Sequence, residues 1–275
     1  MNVSVEEITC KSSLTGSGRS YRLNPYVGCE HRCEYCYATY IARWRGKSGP
    51  WGSWVQVKTN VMEVLAQELV RKKGIDVFLS TVCDVYQPLE QEYGITRQCL
   101  SVFLKAAQED PGLEVFLLTK SDLVRRDVEL LRAFPAGTLR VAFSVTTPRD
   151  EVAALFEPAS PRPSRRFAAA KVLKEAGLTV GLLINPVLPY VTEHDLPALF
   201  EIAEESGLDF ASFDTLHYLR GHVGGKMRRV YEQLDQKARM RLEQARNDPA
   251  SYERDLRQLI EHLAEGQRLT VQTYF

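Results

Sequence analysis

The sequence predicts an α/β protein, a partial TIM-type (β/α)6 barrel followed by a C-terminal helical extension. Short apolar runs rich in β-branched and aromatic residues alternate along the chain with amphipathic helical patterns. Strands that alternate with helices favour parallel βαβ units. The length of 275 residues is one that α/β barrels commonly reach as a single unit.

Six runs are predicted as the barrel strands. The first covers residues 20–25, and the others are VFLST, EVFLLT, RVAFSVT, TVGLLINP and FASFDTL. Elsewhere apolar residues recur at three- and four-residue steps, which predicts helices at 37–45, 61–72, 97–108, 122–133, 165–175 and 193–204. In barrels of this type the functional site lies at the C-terminal ends of the strands.

The two ends of the chain differ from its middle. Residues 1–18 are small and polar, which predicts a mobile N-terminal lead-in and leaves 19–216 for the barrel. Residues 217–275 are predicted to form a helical extension that closes the barrel, with a basic, glycine-containing loop before helices at 235–245 and 252–265. The ending RLTVQTYF alternates like an edge strand, which either pairs with the barrel or covers its mouth.

The composition narrows the range of partners. The 35 basic and 35 acidic residues cancel, so no overall field draws the chain to nucleic acid or to an anionic membrane, although a local basic patch is compatible with this balance. No apolar run approaches the ~20 residues that span a bilayer, and the start MNVSVEEITCK lacks the pattern of a signal peptide. We therefore expect a cytoplasmic monomer without a membrane partner.

The run NPYVGCEHRCEYCYATY holds Cys29, Cys33 and Cys36 at the spacing C-x3-C-x2-C. Cysteine thiolates are the usual ligands of zinc and of iron–sulfur clusters. A structural zinc ion commonly takes two separated cysteine pairs, and the cysteines at positions 10, 83 and 99 do not supply a second pair. Three cysteines on a four-iron cluster leave one iron open to a substrate or cofactor. The spacing favours such a cluster, with zinc as the alternative.

The same spacing, with aromatic Tyr35 directly before the third cysteine, resembles the signature of the radical S-adenosylmethionine (SAM) enzymes. The resemblance extends through DVYQPLE, ITRQCL, LLTKS, RRDVELL, FSVTT, FEPASPRPSRRFAAAKVLKEAG and INPVLPY. These segments are similar to the DNA repair photolyase branch that includes spore photoproduct lyase. The similarity covers residues 19–213.

The resemblance implies two cofactors, a [4Fe-4S] cluster held by the three cysteines and SAM bound at the open iron. It also implies a lyase-like reaction, in which reductive cleavage of SAM gives methionine and a 5′-deoxyadenosyl radical that takes a hydrogen atom from the substrate. An external electron donor of the flavodoxin or ferredoxin type is expected as a partner. The protein would position and protect this chemistry.

Several residues at the predicted strand ends match family positions around SAM. The resemblance places Asp84 near the SAM amino group, and Lys120 suits a cation facing the methionine carboxylate. Ser144 and Thr146 share a strand face, so both are candidates for the ribose hydroxyls. A helix cap at Asp84 and backbone-bonded core hydroxyls are the structural alternatives.

Four more residues complete the predicted cofactor contacts. Tyr35 is expected over the adenine or the cluster edge, and Asn185 follows the fifth barrel strand. Glu157 and Arg166 match positions near the substrate or SAM, with a structural ion pair as the alternative. His31, inside the cysteine run, is expected to be exposed rather than coordinating.

Cys83 is a candidate hydrogen donor. In spore photoproduct lyase, a cysteine three positions before the corresponding aspartate returns a hydrogen atom to the product radical. Here that position is Thr81, whereas Cys83 directly precedes Asp84. Because residues 81 and 83 point to the same face of an extended strand, Cys83 can still face the site. The alternative is a small buried apolar side chain.

Three hypotheses about the function remain open at this stage. The first is a DNA lesion, with DNA phosphates bound by two basic segments. The second is a peptide or small metabolite, and the third is a non-catalytic metal-cluster protein that binds nucleic acid. The residues predicted to contact phosphates are Arg43, Trp44, Arg45, Lys47, Arg220, Lys226, Arg228 and Arg229.

Overall fold

The computed structural model describes residues 3–47, 49–79, 81–219 and 221–275. Its strands are β1 (Ser4–Ile8), β2 (Leu14–Ser17), β3 (Ser20–Leu23), β4 (Tyr26–Val27), β5 (Trp54–Lys58), β6 (Asp76–Leu79), β7 (Glu114–Thr119), β8 (Leu139–Ser144), β9 (Val180–Val187), β10 (Phe210–Thr215) and β11 (Thr270–Thr273).

The helices lie between these strands and after β10. They are α1 (Tyr40–Trp44), α2 (Val61–Arg71), α3 (Glu90–Tyr93), α4 (Ile95–Glu109), α5 (Val128–Arg132), α6 (Asp150–Phe156), α7 (Pro163–Glu175), α8 (Val191–Glu205), α9 (Gly221–Tyr231), α10 (Gln236–Asn247) and α11 (Pro249–Ala264). Single 3-10 segments, Tyr37–Thr39 and Asp122–Asp127, lead into α1 and α5.

The α/β fold predicted from the sequence is confirmed. The main sheet has the order β11-β10-β9-β8-β7-β6-β3-β2, and all six predicted barrel strands, β3 and β6 to β10, pair in parallel. A second sheet has the order β1-β5-β4. Because parallel strands end at the same edge, the loops after β6, β7, β8 and β9 meet there.

The core lies between the main sheet and its helices. Leu117 on β7, Val141 on β8 and Val180 on β9 are buried neighbours in the sheet. Cys99 and Phe103 of α4, four residues apart and fully buried, belong to the same apolar cluster. Burial of each such side chain contributes about 1.5–3 kcal/mol.

The segment before β3 carries more structure than its polar composition predicts. β1 pairs in parallel with β5, and β2 pairs antiparallel with β3. The Glu68 carboxylate on α2 also accepts hydrogen bonds of 3.0 Å from the backbone N–H groups of Ser13 and Leu14. The sequence did not reveal β1 and β2 because edge strands with solvated side chains lack the apolar pattern of a core strand. The domain division at residues 19 and 217 stays a prediction.

The prediction of a basic loop after β10 is wrong, since the described residues from Gly221 onward form helix α9. Val223, Met227 and Val230 recur at helical spacing and pack in one apolar cluster with the cysteine run. The glycines obscured this pattern in the sequence. Gly224 permits a close approach, because a Cβ atom there would lie 2.0 Å from the Leu219 carbonyl oxygen.

The C-terminal part otherwise follows the prediction in its elements. Helices α10 and α11 match the two predicted helices within a few residues. The final strand β11 pairs in parallel with β10, so it extends the sheet. Closure of the barrel by residues 217–275 stays a prediction.

Candidate active site at the ends of the parallel strands

Residues 28–36, here called the cysteine loop, follow β4 and turn back against β5. Gly28 has a φ of +97°, and a Cβ atom there would lie 2.5 Å from the Trp54 carbonyl oxygen, so the turn requires glycine. Cys29, Cys33 and Cys36 of this loop all line one cavity of about 500 Å³. The three predicted metal ligands are thus brought together.

The other walls of the cavity come from successive strand ends. Asp84 follows β6, Lys120 follows β7, Ser144 ends β8, and Asn185 lies in β9. Asp214 on β10 faces them across the same cavity. The site therefore lies at the carboxyl edge of the sheet, where the sequence predicts it.

Burial favours the protonated form of the three thiols in the absence of a metal. Burial raises the pKa of Cys36 to about 12 and that of Cys29 well above its usual value, with the nearby Asp84 carboxylate adding to the effect at Cys29. Burial also raises the pKa of Cys33. Thiols in this position lose their protons when a metal replaces them.

The three thiols supply the donor set of a four-iron cluster. Among the described residues, no three His, Cys, Asp or Glu side chains converge on one metal ion. In a four-iron cluster each thiolate binds a different iron, so convergence on one point is not required. The donor set of three cysteines therefore fits the cluster that the sequence predicts.

Asp84 connects the two strand ends next to the cysteine loop. Its carboxylate accepts hydrogen bonds from Thr119 Oγ1 at 2.7 Å, from the Lys120 backbone N–H at 2.6 Å and from the Tyr86 backbone N–H at 2.9 Å. Its own backbone N–H donates to Cys29 Sγ at 3.4 Å. Both carboxylate oxygens are thus used within the protein, and a contact of Asp84 with SAM stays a prediction.

His31 is buried, with 1% of its surface exposed, so the expectation that it is exposed is wrong. Its Nδ1 lies 3.4 Å from Asp84 Oδ2, but neither ring nitrogen has a well-directed hydrogen bond among the described residues. Burial opposes the charge of Asp84, yet His31 and the hydrogen bonds to its carboxylate lower its pKa to about 2. The loop turns His31 inward, which its sequence does not reveal.

Lys120 presents its ammonium group on the cavity wall. Its Nζ donates to Ser144 Oγ at 2.6 Å and lies 5.6 Å from the centre of the Tyr35 ring. The ring face holds the cation by a cation–π contact. A cation beside a hydroxyl is an arrangement that can bind a carboxylate.

Three predicted cofactor contacts lie behind the cavity wall instead of on it. Glu157 and Arg166 form a buried ion pair, and Glu157 accepts hydrogen bonds from Tyr35 Oη and, at 3.4 Å, from Thr146 Oγ1. Arg166 Nη1 donates to the Ser144 carbonyl at 2.9 Å. This geometry favours the structural alternative for Glu157 and Arg166, which position Tyr35 and Ser144. Direct contacts of these residues with SAM stay predictions.

Cys83 and Thr81 both line the cavity, as the strand alternation predicts. Asn24, which the sequence analysis did not single out, holds this segment. Its Oδ1 accepts hydrogen bonds from the backbone N–H groups of Thr81 at 2.9 Å and Val82 at 3.0 Å. An asparagine directly after β3 was the available signal. The donor role of Cys83 stays a prediction.

The two basic segments differ in the state of their charges. Lys226 pairs with Glu34 at 3.0 Å and Arg228 pairs with Glu243 at 3.3 Å, so carboxylates engage two cations of the second segment, whereas Arg229 is exposed. Arg220 lies outside the described residues. In the first segment Lys47 pairs with Glu6, whereas Arg43, Trp44 and Arg45 are exposed.

Residues 23–203 match the sequence profile of the radical SAM superfamily. The chain belongs to this superfamily. It is 34% identical over 172 residues to an uncharacterized protein of Methanocaldococcus jannaschii, and that match covers 62% of each chain. It is also 30% identical over 285 residues to an uncharacterized protein of Mycobacterium tuberculosis, covering 97% of this chain and 82% of the relative.

The fold of this radical SAM protein is similar to that of spore photoproduct lyase. The lyase complexed with dinucleoside spore photoproduct superimposes with a TM-score of 0.70 and 15% identity, covering 98% of this chain and 82% of that chain. The predicted resemblance is thereby confirmed at the level of family and fold. Within the described residues, no helix combines the length and the apolar character that crossing a membrane requires.

The buried Glu157–Arg166 pair gives a test of its structural role. We expect Arg166→Met to lower the free energy of unfolding of the cluster-free protein by ~3–5 kcal/mol, because it leaves the Glu157 carboxylate buried without its cation. Arg132→Met is the matched control, since Arg132 and its partner Glu129 are 53% and 85% exposed and loss of this pair should cost less than ~1 kcal/mol. Urea unfolding measures both.

The double variant Glu157→Gln/Arg166→Met should recover part of the lost stability, since neither charge then remains buried alone. A different outcome would support direct cofactor binding instead. In that case Arg166→Met would be as stable as Arg132→Met and would bind SAM more weakly.

Proposed function

We propose that this chain is a SAM-dependent radical enzyme that abstracts a hydrogen atom from a nucleobase of damaged DNA, in a lyase-like reaction. The observation that carries the proposal is the convergence of Cys29, Cys33 and Cys36 with Lys120 and Ser144 on one cavity. This combines the ligands of an iron–sulfur cluster with a carboxylate-binding pair. The family match supports the same chemistry.

Each wall of the cavity has a role in this proposal. The three cysteines would hold a four-iron cluster. This cluster would supply the electron that cleaves SAM and gives a 5′-deoxyadenosyl radical. Lys120 and Ser144 bind the SAM carboxylate, and Tyr35 supports Lys120 through its ring. The protein walls around the cofactors would keep bulk water away from a reactive radical.

The cavity of about 500 Å³ would already hold the cluster and SAM, so a substrate would reach the reactive centre only through the cavity mouth. In a duplex each base is stacked between its neighbours. A DNA base would therefore leave the stack to reach the site, at a cost of a few kcal/mol that is smallest at a damaged position. The similarity in fold to spore photoproduct lyase supports this substrate class. Cys83 on the wall is our candidate for returning hydrogen to the product radical.

The proposed external electron donor, of the flavodoxin or ferredoxin type, has a candidate docking surface in a second cavity of about 580 Å³. His31 lines both cavities, and Cys33 Sγ lies 3.9 Å from Ser160 Oγ, which lines the second. Arg125 and Arg165 at its rim, 48% and 64% exposed, share the single carboxylate of Asp122, which leaves an excess of positive charge between these three residues. Such cations suit an acidic donor protein. We place this chemistry in the reducing cytoplasm, where clustered thiols persist.

The first test is anaerobic reconstitution with iron and sulfide, followed by reduction and an assay for 5′-deoxyadenosine. We expect one four-iron cluster per chain by Mössbauer spectroscopy and SAM-dependent formation of 5′-deoxyadenosine. Cys33→Ala should lose both, whereas Cys99→Ala, a buried cysteine on α4 away from the cavity, should keep them. Stoichiometric zinc, or a complete cluster in Cys33→Ala, would reject the proposal.

A second test concerns SAM binding. Lys120→Met keeps the apolar stem but removes the charge-assisted hydrogen bond, so we expect SAM affinity to fall by ~1.5–3 kcal/mol with unchanged cluster content. Lys105→Met, on the exposed face of α4, is the control and should bind SAM like the wild type. Calorimetry on the reconstituted proteins measures this difference, and equal affinities would leave Lys120 with a structural role only.

The donor surface is tested by charge reversal. Arg125→Glu/Arg165→Glu should slow reduction of the reconstituted protein by flavodoxin about tenfold or more at low salt, because an acidic partner is then repelled. Reduction by dithionite should be unchanged, since a small chemical reductant needs no docking surface. Arg254→Glu, on α11 and outside both cavities, is the matched control. Equal slowing with both reductants would point to damage at the site.

A further inference from the structure

Four aromatic side chains form a row that leads from the cavity mouth across the surface. Tyr218 and Tyr37 line the cavity, and their rings stack with centres 6.0 Å apart and planes 20° apart. Tyr37 stacks in turn on Tyr40 at 6.5 Å and 25°, and Tyr40 meets Trp44 edge-on at 5.5 Å. We call these four residues the aromatic row.

The row is exposed to solvent along its whole length. Trp44 is 82% exposed, Tyr218 63%, Tyr40 47% and Tyr37 40%. A contiguous group of large exposed apolar side chains is uncommon on a soluble protein and marks a binding surface. The row is therefore not part of the packed core.

The local helix places the rings on the outer face. Tyr37, Tyr40 and Trp44 follow one another at steps of three and four residues, which puts them on one side of the segment that ends in α1. Ile41 and Ala42 point to the other side and pack against an apolar cluster that includes Cys29. The same short helix thus anchors the cysteine loop and presents the aromatic row.

Two exposed arginines lie near the row. Arg22 lies close enough for its charge to act on the Tyr37 phenol, and Arg43 lies on α1 beside Tyr40 and Trp44. Both arginines are exposed, and within the described residues neither forms an ion pair. They differ in this respect from Lys226 and Arg228, which are engaged by carboxylates.

We propose that the aromatic row binds unstacked bases of a single-stranded nucleic acid next to the base that enters the cavity. The inference rests on the proposed function, in which the substrate is a nucleobase. Each base that stacks on an exposed aromatic ring contributes about 1–3 kcal/mol, whatever its sequence. Paired bases in a duplex have no open faces, so the row favours a single strand or a locally opened duplex. The two arginines would contact phosphates of the same strand.

The probe is a fluorescent 12-residue single-stranded oligodeoxythymidine, with binding followed by anisotropy at low salt without turnover. We expect it to bind more tightly than a duplex of the same length. Trp44→Ala and Tyr40→Ala should each weaken binding by about 5- to 150-fold, the equivalent of one lost stacking contact. Trp44→Phe should restore most of the affinity, because it retains a ring.

Tyr274→Ala is the matched control, since Tyr274 is also 63% exposed but lies outside the row. Arg43→Ala should reduce the slope of log affinity against log salt by about 0.7. Thermal melting of each variant, expected to match the wild type for such exposed sites, shows that the fold is retained. Unchanged oligonucleotide binding in Trp44→Ala and Tyr40→Ala, or equal binding of duplex and single strand, would overturn the inference.

These outcomes are separable from those of the proposed function. Formation of 5′-deoxyadenosine without any effect of the row variants on oligonucleotide binding would retain the radical enzyme and reject the aromatic row as a nucleic-acid site. If the wild type formed no 5′-deoxyadenosine, the radical chemistry would be rejected, whatever the aromatic row binds.

Discussion

The buried carboxylate of Asp84 holds the candidate site together. Its oxygens accept hydrogen bonds from the backbone N–H groups of Tyr86, after β6, and Lys120, after β7. The Asp84 backbone N–H donates to Cys29 of the cysteine loop. A buried ionised carboxylate is tolerated only when its oxygens are fully satisfied. The positions of the cysteine loop and of Lys120 therefore depend on each other through the backbone and side chain of this one residue.

A second buried charge network fixes the opposite part of the wall. Glu157 and Arg166 lie behind the cavity, and their hydrogen bonds reach Tyr35 in the cysteine loop and the Ser144 carbonyl at the end of β8. Lys120 Nζ then bonds to the hydroxyl of the same Ser144. Preorganisation of this kind lowers the entropy cost of orienting a bound cofactor.

The cysteine loop lies between two surfaces of different character. The cavity that holds the three thiols opens beside the aromatic row, whereas the second cavity, reached at His31, has arginines at its rim. In the proposed function, the electron donor and the nucleic acid would approach the reactive centre from these two separate surfaces. The α1 segment and the 3-10 turn at Asp122–Asp127 supply residues to these two surfaces.

The sequence by itself determined the α/β class, the six parallel strands and the three cysteines, because strand periodicity and ligand spacing are local properties of the chain. It did not determine that His31 is buried, that residues 221–231 form helix α9, or that Glu157 and Arg166 lie behind the cavity wall. Those features depend on contacts between residues far apart in the chain, such as Tyr35 with Glu157 or Val223 with the cysteine loop. Only tertiary packing decides whether a polar side chain at a strand end faces the cavity or supports a neighbour that does.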